Sequence, residues 1–141
     1  MRSRKHARTI LSILALSAAT AGVWAAEGVV VIGHSGIKKL DTATLARIYT
    51  GRVIEVEGIS VTAVNAHAGS LVRNRFLQIF LNQDEDKYTA YWTVRRYIGK
   101  GASPREMAKS SDIISFVNST PGAIGYINEA DLQPGLNVLL R

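Results

Sequence analysis

The residues best suited to chemistry lie in one short stretch, residues 67–73, which reads HAGSLVR. Glycine lets a backbone approach a ligand closely, and serine is a preferred cap at the start of a helix. The first N–H groups of a helix have no partner inside it, so they can hold an oxyanion together with hydroxyl groups and an arginine. The stretch therefore predicts an oxyanion site formed by Gly69, Ser70, Leu71, Val72 and Arg73.

A second group of candidate donors follows the first apolar run, in residues 33–39, GHSGIKK. Here Ser35 and Gly36 can belong to a small nest of backbone N–H groups. Ligands of open parallel sheets lie at the carboxyl ends of the strands, so we expect a second oxyanion contact in this loop. Plainer explanations stay open, because Ser70 can serve as a helix cap alone and the lysines and arginines beside both loops can simply be solvated.

The composition argues against several other functions. The chain has no cysteine, so it has no thiol nucleophile, thiolate metal site or disulfide. Its three histidines, one of them in the first 25 residues, lack the spacing of zinc ligands. There is no nucleophile elbow, and the glycine and lysine patterns of nucleotide sites are missing. We therefore expect a protein that is not an enzyme and uses no metal or cofactor.

The first 25 residues have the layout of a secretory signal peptide. Arg2, Arg4, Lys5 and Arg8 are followed by a mostly apolar run over residues 9–19, and small residues stand at 23 and 25. This run is roughly half of the ~20 residues that a membrane span needs, which favours cleavage over an uncleaved anchor. A cut after Ala26 stays an alternative. We expect the protein to be exported to the periplasm.

Removing residues 1–25 from the 141 leaves 116 residues, which suits one domain, residues 26–141. Four of the 17 lysines and arginines lie in the predicted signal, so 13 remain against 11 acids, a net charge of +2. A charge this small provides no strong basic field, so nucleic acid is not expected as a partner.

The remaining pattern alternates strands with helices. Strands are expected over residues 28–33, 59–65, 123–127 and 137–140. Helices are expected to begin at Asp41 or Thr42, at Ser70, at Asp84 and at Ser111 or Asp112. The alternation predicts an α/β fold with a mainly parallel sheet flanked by helices. Gly125 lies inside a predicted strand, which indicates either close packing or the approach of a ligand.

Four segments in order resemble the phosphate-binding proteins that serve ABC phosphate importers. They are LARIYTGRV (45–53), VNAHAGSLVRNRF (64–76), YWTVRRYIGKG (91–101) and STPGAIGYI (119–127). The resemblance implies a type II periplasmic-binding-protein fold, of which this chain is about a single lobe. It also implies phosphate or a similar oxyanion as the ligand. The implied partners are the membrane subunits of an ABC transporter or another periplasmic protein.

The chain departs from the family pattern beside the predicted site. Members usually carry an arginine a few residues ahead of the serine and an aspartate-glycine next to it, whereas residues 65–69 here read NAHAG. A single lobe cannot enclose phosphate alone, so a homodimer stays open. We expect an exported phosphate-binding or oxyanion-binding component of a phosphate ABC transporter. The alternative is a protein-interaction lobe that kept the fold and lost phosphate binding.

Overall fold

The computed structural model describes residues 28–141, so the predicted signal peptide lies outside the described residues. The strands are β1 (Val29–Gly33), β2 (Glu55–Val56), β3 (Ile59–Ser60), β4 (Thr62–Ala66), β5 (Arg105–Met107), β6 (Ala123–Asn128) and β7 (Asn137–Leu140). The helices are α1 (Thr42–Tyr49), α2 (Leu71–Phe76), α3 (Glu85–Tyr97) and α4 (Ser110–Ser119). A π-helical turn, Leu77–Leu81, continues α2, and a 3₁₀ turn, Glu129–Asp131, follows β6.

The predicted mainly parallel sheet is confirmed in its strand directions, with one inverted strand. Within residues 28–141 the large sheet has the order β5-β4-β6-β1-β7. Strand β4 runs parallel to β5 and β6, whereas β1 runs antiparallel to β6 and β7. Four strands therefore point the same way and β1 points the other way between β6 and β7. Strands β2 and β3 form a separate hairpin.

Helices cover both faces of this sheet. All five residues of β1 are buried, as the unbroken apolar run predicts. On β6, Gly125 faces Ile113 of α4, while the ring of the next residue, Tyr126, stacks on Phe76 at 3.8 Å between centroids. Neighbouring residues of a strand point to opposite faces, so α4 covers one face and α2 covers the other.

Local capping explains where α1 and α3 begin, whereas α4 follows Lys109 without a side-chain cap. The side chains of Asp41 and Asp84 accept hydrogen bonds from the backbone N–H groups of Thr44 and Lys87, at 2.6 and 2.8 Å. Asp84 was predicted as a start, and Asp41 was one of two predicted alternatives with Thr42. Both carboxylates satisfy N–H groups that have no partner inside the helix. Strand β5 was not predicted, because it is three residues long, directly follows Pro104 and lacks a β-branched run.

No helix within residues 28–141 has both the length and the apolar character that crossing a bilayer would require.

Gly125 serves packing between β6 and α4. A Cβ atom at this position would lie 2.6 Å from the Ile113 side chain and 3.2 Å from that of Val64. Both distances are too short for unstrained carbon contacts, so only glycine lets α4 approach the sheet this closely. Of the two readings of this glycine, the structure supports packing.

We expect Gly125→Ala to lower the free energy of unfolding by about 1–3 kcal/mol, because the added methyl group overpacks the β6–α4 contact. Urea unfolding followed by circular dichroism measures the change. Gly36→Ala is the matched control, since a Cβ atom there would meet Ile59 at an ordinary 4.0 Å. Equal stability of the two variants would contradict the packing role.

Candidate functional site

The loop that follows β4 has the open backbone that the sequence predicts. Gly69 has a φ of +84°, and no atom lies within 4 Å of where its Cβ would stand. Ser70 caps α2, since its hydroxyl oxygen accepts the N–H of Arg73 at 3.4 Å and its O–H donates to the carbonyl oxygen of His67 at 2.7 Å. The serine hydroxyl therefore holds the loop in shape.

Arg73 lies beneath this loop and is only 5% exposed. Its Nε and Nη2 atoms donate to both carboxylate oxygens of Glu85, at 2.8 and 2.7 Å. Its Nη1 atom donates to the carbonyl oxygen of Ala66 at 3.2 Å and to Oε1 of Glu106 at 2.6 Å. Burial opposes the charged form of Arg73, but the hydrogen bond and charge of Glu85 outweigh it, so the pKa of Arg73 is raised.

Glu106, on the edge strand β5, brings a carboxylate to the loop. Its Oε1 atom accepts hydrogen bonds from the backbone N–H of Ala68 at 3.3 Å and from Nη1 of Arg73 at 2.6 Å. A backbone N–H group and a guanidinium thus converge on one anionic oxygen. This is the pair of donor types expected at an oxyanion site, and here they hold a carboxylate of the protein itself.

A cleft of about 290 Å³ lies beside this cluster. Its lining combines charged side chains, hydroxyls and two aromatic rings, contributed by Ala68, Arg73, Glu85, Tyr88, Thr89, Trp92, Thr93, Arg96, Ser103 and Glu106. Helix α3 provides one wall, the loop after β4 and strand β5 provide the other, and Tyr88 and Trp92 are buried at the base. The cleft is large enough for a small polar ligand that reaches Arg73 from solvent.

Buried hydroxyl groups support this end of β4. Tyr126 donates to the side-chain oxygen of Asn65 at 3.1 Å, and its oxygen accepts the N–H of Ala66 at 3.1 Å. Asn65 donates in turn to the hydroxyl of Tyr88 at 3.2 Å, and Tyr88 donates to the carbonyl oxygen of Tyr49 at 2.9 Å. Burial raises the pKa of all three tyrosines. The neutral network keeps the strand end in place under the loop.

The structure does not bring the two predicted donor groups together. The backbone N–H of His34 donates to the carbonyl oxygen of Ala123 at 2.9 Å, and Ala123 pairs with Thr62 at the start of β4. Ser35 and Gly36 therefore lie at the amino ends of β4 and β6. They lie at the opposite end of the sheet from Ser70, because β1 runs antiparallel to β6.

The other residues predicted for the site differ in their exposure and in their distance from the loop after β4. Leu71 projects outward with 62% of its surface exposed, and Val72 packs against the core. Gly69, Ser70 and Arg73 lie together at the carboxyl end of β4. Glu106 and the hydroxyls of the cleft were missed, because β5 was not recognised and the cleft depends on how α3 packs. Glu85 directly follows the predicted helix start at Asp84, and no local pattern links it to Arg73.

Comparison with known proteins finds similarity of fold. No protein-family model and no curated protein matches the chain. An ABC-type phosphate transport receptor from Vibrio cholerae matches with a TM-score of 0.55 and 14% identity, over 79% of this chain and 45% of that one. A putative phosphate ABC transporter substrate-binding protein with bound phosphate, from Clostridium perfringens, matches with a TM-score of 0.62 and 20% identity. This match covers 79% of this chain and 44% of that one.

The chain thus shares the fold of phosphate ABC transporter substrate-binding proteins. It spans less than half the length of either receptor. One neighbour is named a phosphate transport receptor and the other a putative substrate-binding protein. In residues 28–141, no three His, Asp or Glu side chains are grouped so that they could hold a metal ion.

We expect Arg73→Met to lower the free energy of unfolding by about 2–3 kcal/mol, because it leaves the Glu85 carboxylate without its bidentate partner. The cost is below that of a fully buried pair, since Glu85 and Glu106 keep some contact with water. Arg96→Met, at an exposed arginine of the same cleft, should change stability by less than about 0.5 kcal/mol. Similar urea midpoints for both variants would contradict the structural role of Arg73.

Proposed function

We propose that the protein is an exported substrate-binding component, or a relative of one, of a phosphate ABC transporter and that it binds phosphate or a similar oxyanion. The proposed site is the loop after β4, formed by Gly69, Ser70, the N–H groups of Leu71 and Val72, and the Arg73 guanidinium. One observation carries the proposal: the N–H of Ala68 and Nη1 of Arg73 already converge on one anionic oxygen, at 3.3 and 2.6 Å.

Phosphate is the first ligand to test for two reasons. Both structural neighbours are phosphate receptors by name, and one carries bound phosphate. The donors at the loop are a backbone N–H and an arginine, which suit an oxyanion without requiring a metal. The partners proposed with this function are the membrane subunits of the transporter.

A second function is favoured by a different observation. Arg73 is already paired with two carboxylates, and the chain spans less than half of each receptor. At the end of α3, Val94 and Tyr97 expose large side chains, with Tyr97 92% exposed, and so does Ile98, which follows the helix. A lobe of this kind can use its surface to meet another periplasmic protein or a second copy of itself. This interaction module is the alternative if oxyanion binding is absent.

Export is part of the proposal and has its own test. Expression of the full sequence in a Gram-negative host should place the protein in the periplasmic fraction, shortened by the first 25 or 26 residues. Intact-mass spectrometry of that fraction measures the cleavage. A full-length mass in the cytosolic fraction would contradict export, whatever the protein binds.

We expect isothermal titration of the purified protein with phosphate, after bound anion has been stripped by partial unfolding and refolding, to show saturable binding. Arg73→Lys should weaken binding by about tenfold, because lysine cannot keep the geometry of the guanidinium fork. Lys39→Ala is the matched control, because it removes a positive side chain from the loop after β1, outside the cleft. It should leave the affinity unchanged.

Sulfate, titrated in the same way, shows whether the site distinguishes the two oxyanions. The sample must have the circular dichroism of a folded protein. If it then shows no heat of phosphate binding up to millimolar concentration, the oxyanion function is rejected and the interaction module is favoured.

A further inference from the structure

We propose that Glu106 is a built-in competitor for the oxyanion site, whose carboxylate occupies the anion position until a ligand displaces it. The inference rests on the proposed function and adds how the site is regulated. The Oε1 atom of Glu106 takes both converging donors, the N–H of Ala68 and Nη1 of Arg73. A phosphate oxygen accepts the same charge-assisted hydrogen bonds, so carboxylate and ligand compete for one position.

The two carboxylates on Arg73 are held unequally. Glu85 uses both oxygens on the guanidinium, receives a further hydrogen bond from the Thr89 hydroxyl at 3.1 Å and has a side chain 26% exposed. It also lies in the first turn of α3, where the helix dipole favours negative charge. Glu106 holds Arg73 through one oxygen, and its side chain is 48% exposed. Glu106 is therefore the carboxylate that a ligand can displace.

The backbone position of Glu106 also suits displacement. Strand β5 is three residues long and lies at the edge of the sheet, paired with β4. The side chain borders the cleft, so a rotation toward solvent frees one N–H of Nη1 of Arg73, while the hydrogen bond from Nη1 to the carbonyl oxygen of Ala66 remains. Glu85 stays on the other side of the guanidinium and keeps it oriented toward the vacated position.

The charges explain why the competitor controls affinity. With Glu106 in place, its carboxylate and that of Glu85 offset the charges of Arg73 and Arg96 in the cleft lining, so an incoming oxyanion meets no excess of positive charge. Once Glu106 has turned away, Arg73 and Glu85 still balance each other, and the charge of Arg96 is left as a positive excess. Removing the carboxylate should therefore strengthen oxyanion binding, although it breaks an ion pair of the folded protein.

The test is phosphate titration of the Glu106→Gln variant against the unaltered protein, with Glu106→Ala as a second variant. We expect phosphate to bind about ten- to a hundredfold more tightly to both variants, the effect of removing one competing charged hydrogen bond. Glu85→Gln is the matched control, because it removes an equal charge from the same arginine but leaves Glu106 in place. An equal gain in Glu85→Gln would overturn displacement in favour of general electrostatics.

A ligand-free measurement separates this inference from the proposed function. In a ¹⁵N–¹H correlation spectrum without phosphate, Glu106→Gln should shift the amide signal of Ala68, because the charged acceptor is lost. Phosphate binding that is equally tight in all the variants would overturn the competitor and leave the oxyanion function standing. An unshifted Ala68 signal would also overturn it. A shifted Ala68 signal with no phosphate binding in any variant would reject the oxyanion function, and with it competition for an oxyanion.

Discussion

The candidate site at the carboxyl end of β4 depends on one buried cation, the guanidinium of Arg73. The Arg73 guanidinium lies under the loop that follows β4 and joins four parts of the chain: its own helix, the backbone of Ala66, the start of α3 through Glu85 and strand β5 through Glu106. Desolvating a guanidinium is costly, and the pairing of both carboxylates with its planar donors offsets that cost. The pairing connects the loop after β4, the cleft and strand β5 to one another.

The same pairing gives the cleft its chemical character. An arginine that faced open solvent would be a simple anion site, but this one already holds carboxylate oxygens on three of its nitrogens. Any ligand must therefore compete with the protein's own anions. The oxyanion site that we propose rests on the donors that converge at this loop, and Glu106 is the carboxylate that a ligand there would displace. Fold alone does not decide function, because function depends on the groups placed at the site.

The inverted strand β1 is the second constraint on the site. Since β1 runs against β6 and β7, the loop that carries Ser35 and Gly36 leaves the sheet at the opposite end from Ser70. A sheet with every strand parallel would have placed both loops at one edge. The inversion confines the candidate site to the loop after β4, the start of α3 and strand β5.

Much of the fold could be predicted from the sequence, because helix caps and apolar periodicity involve residues that are close together in the chain. Asp41, Ser70 and Asp84 bond N–H groups three residues ahead, so each helix start is visible in a short window. The apolar runs predicted β1, β6 and β7 for the same reason. The tertiary structure alone decided the direction of β1 and the partners of Arg73. Strand direction depends on which edges pair, and the carboxylates on Arg73 lie 12 and 33 residues away, beyond the range of any local pattern.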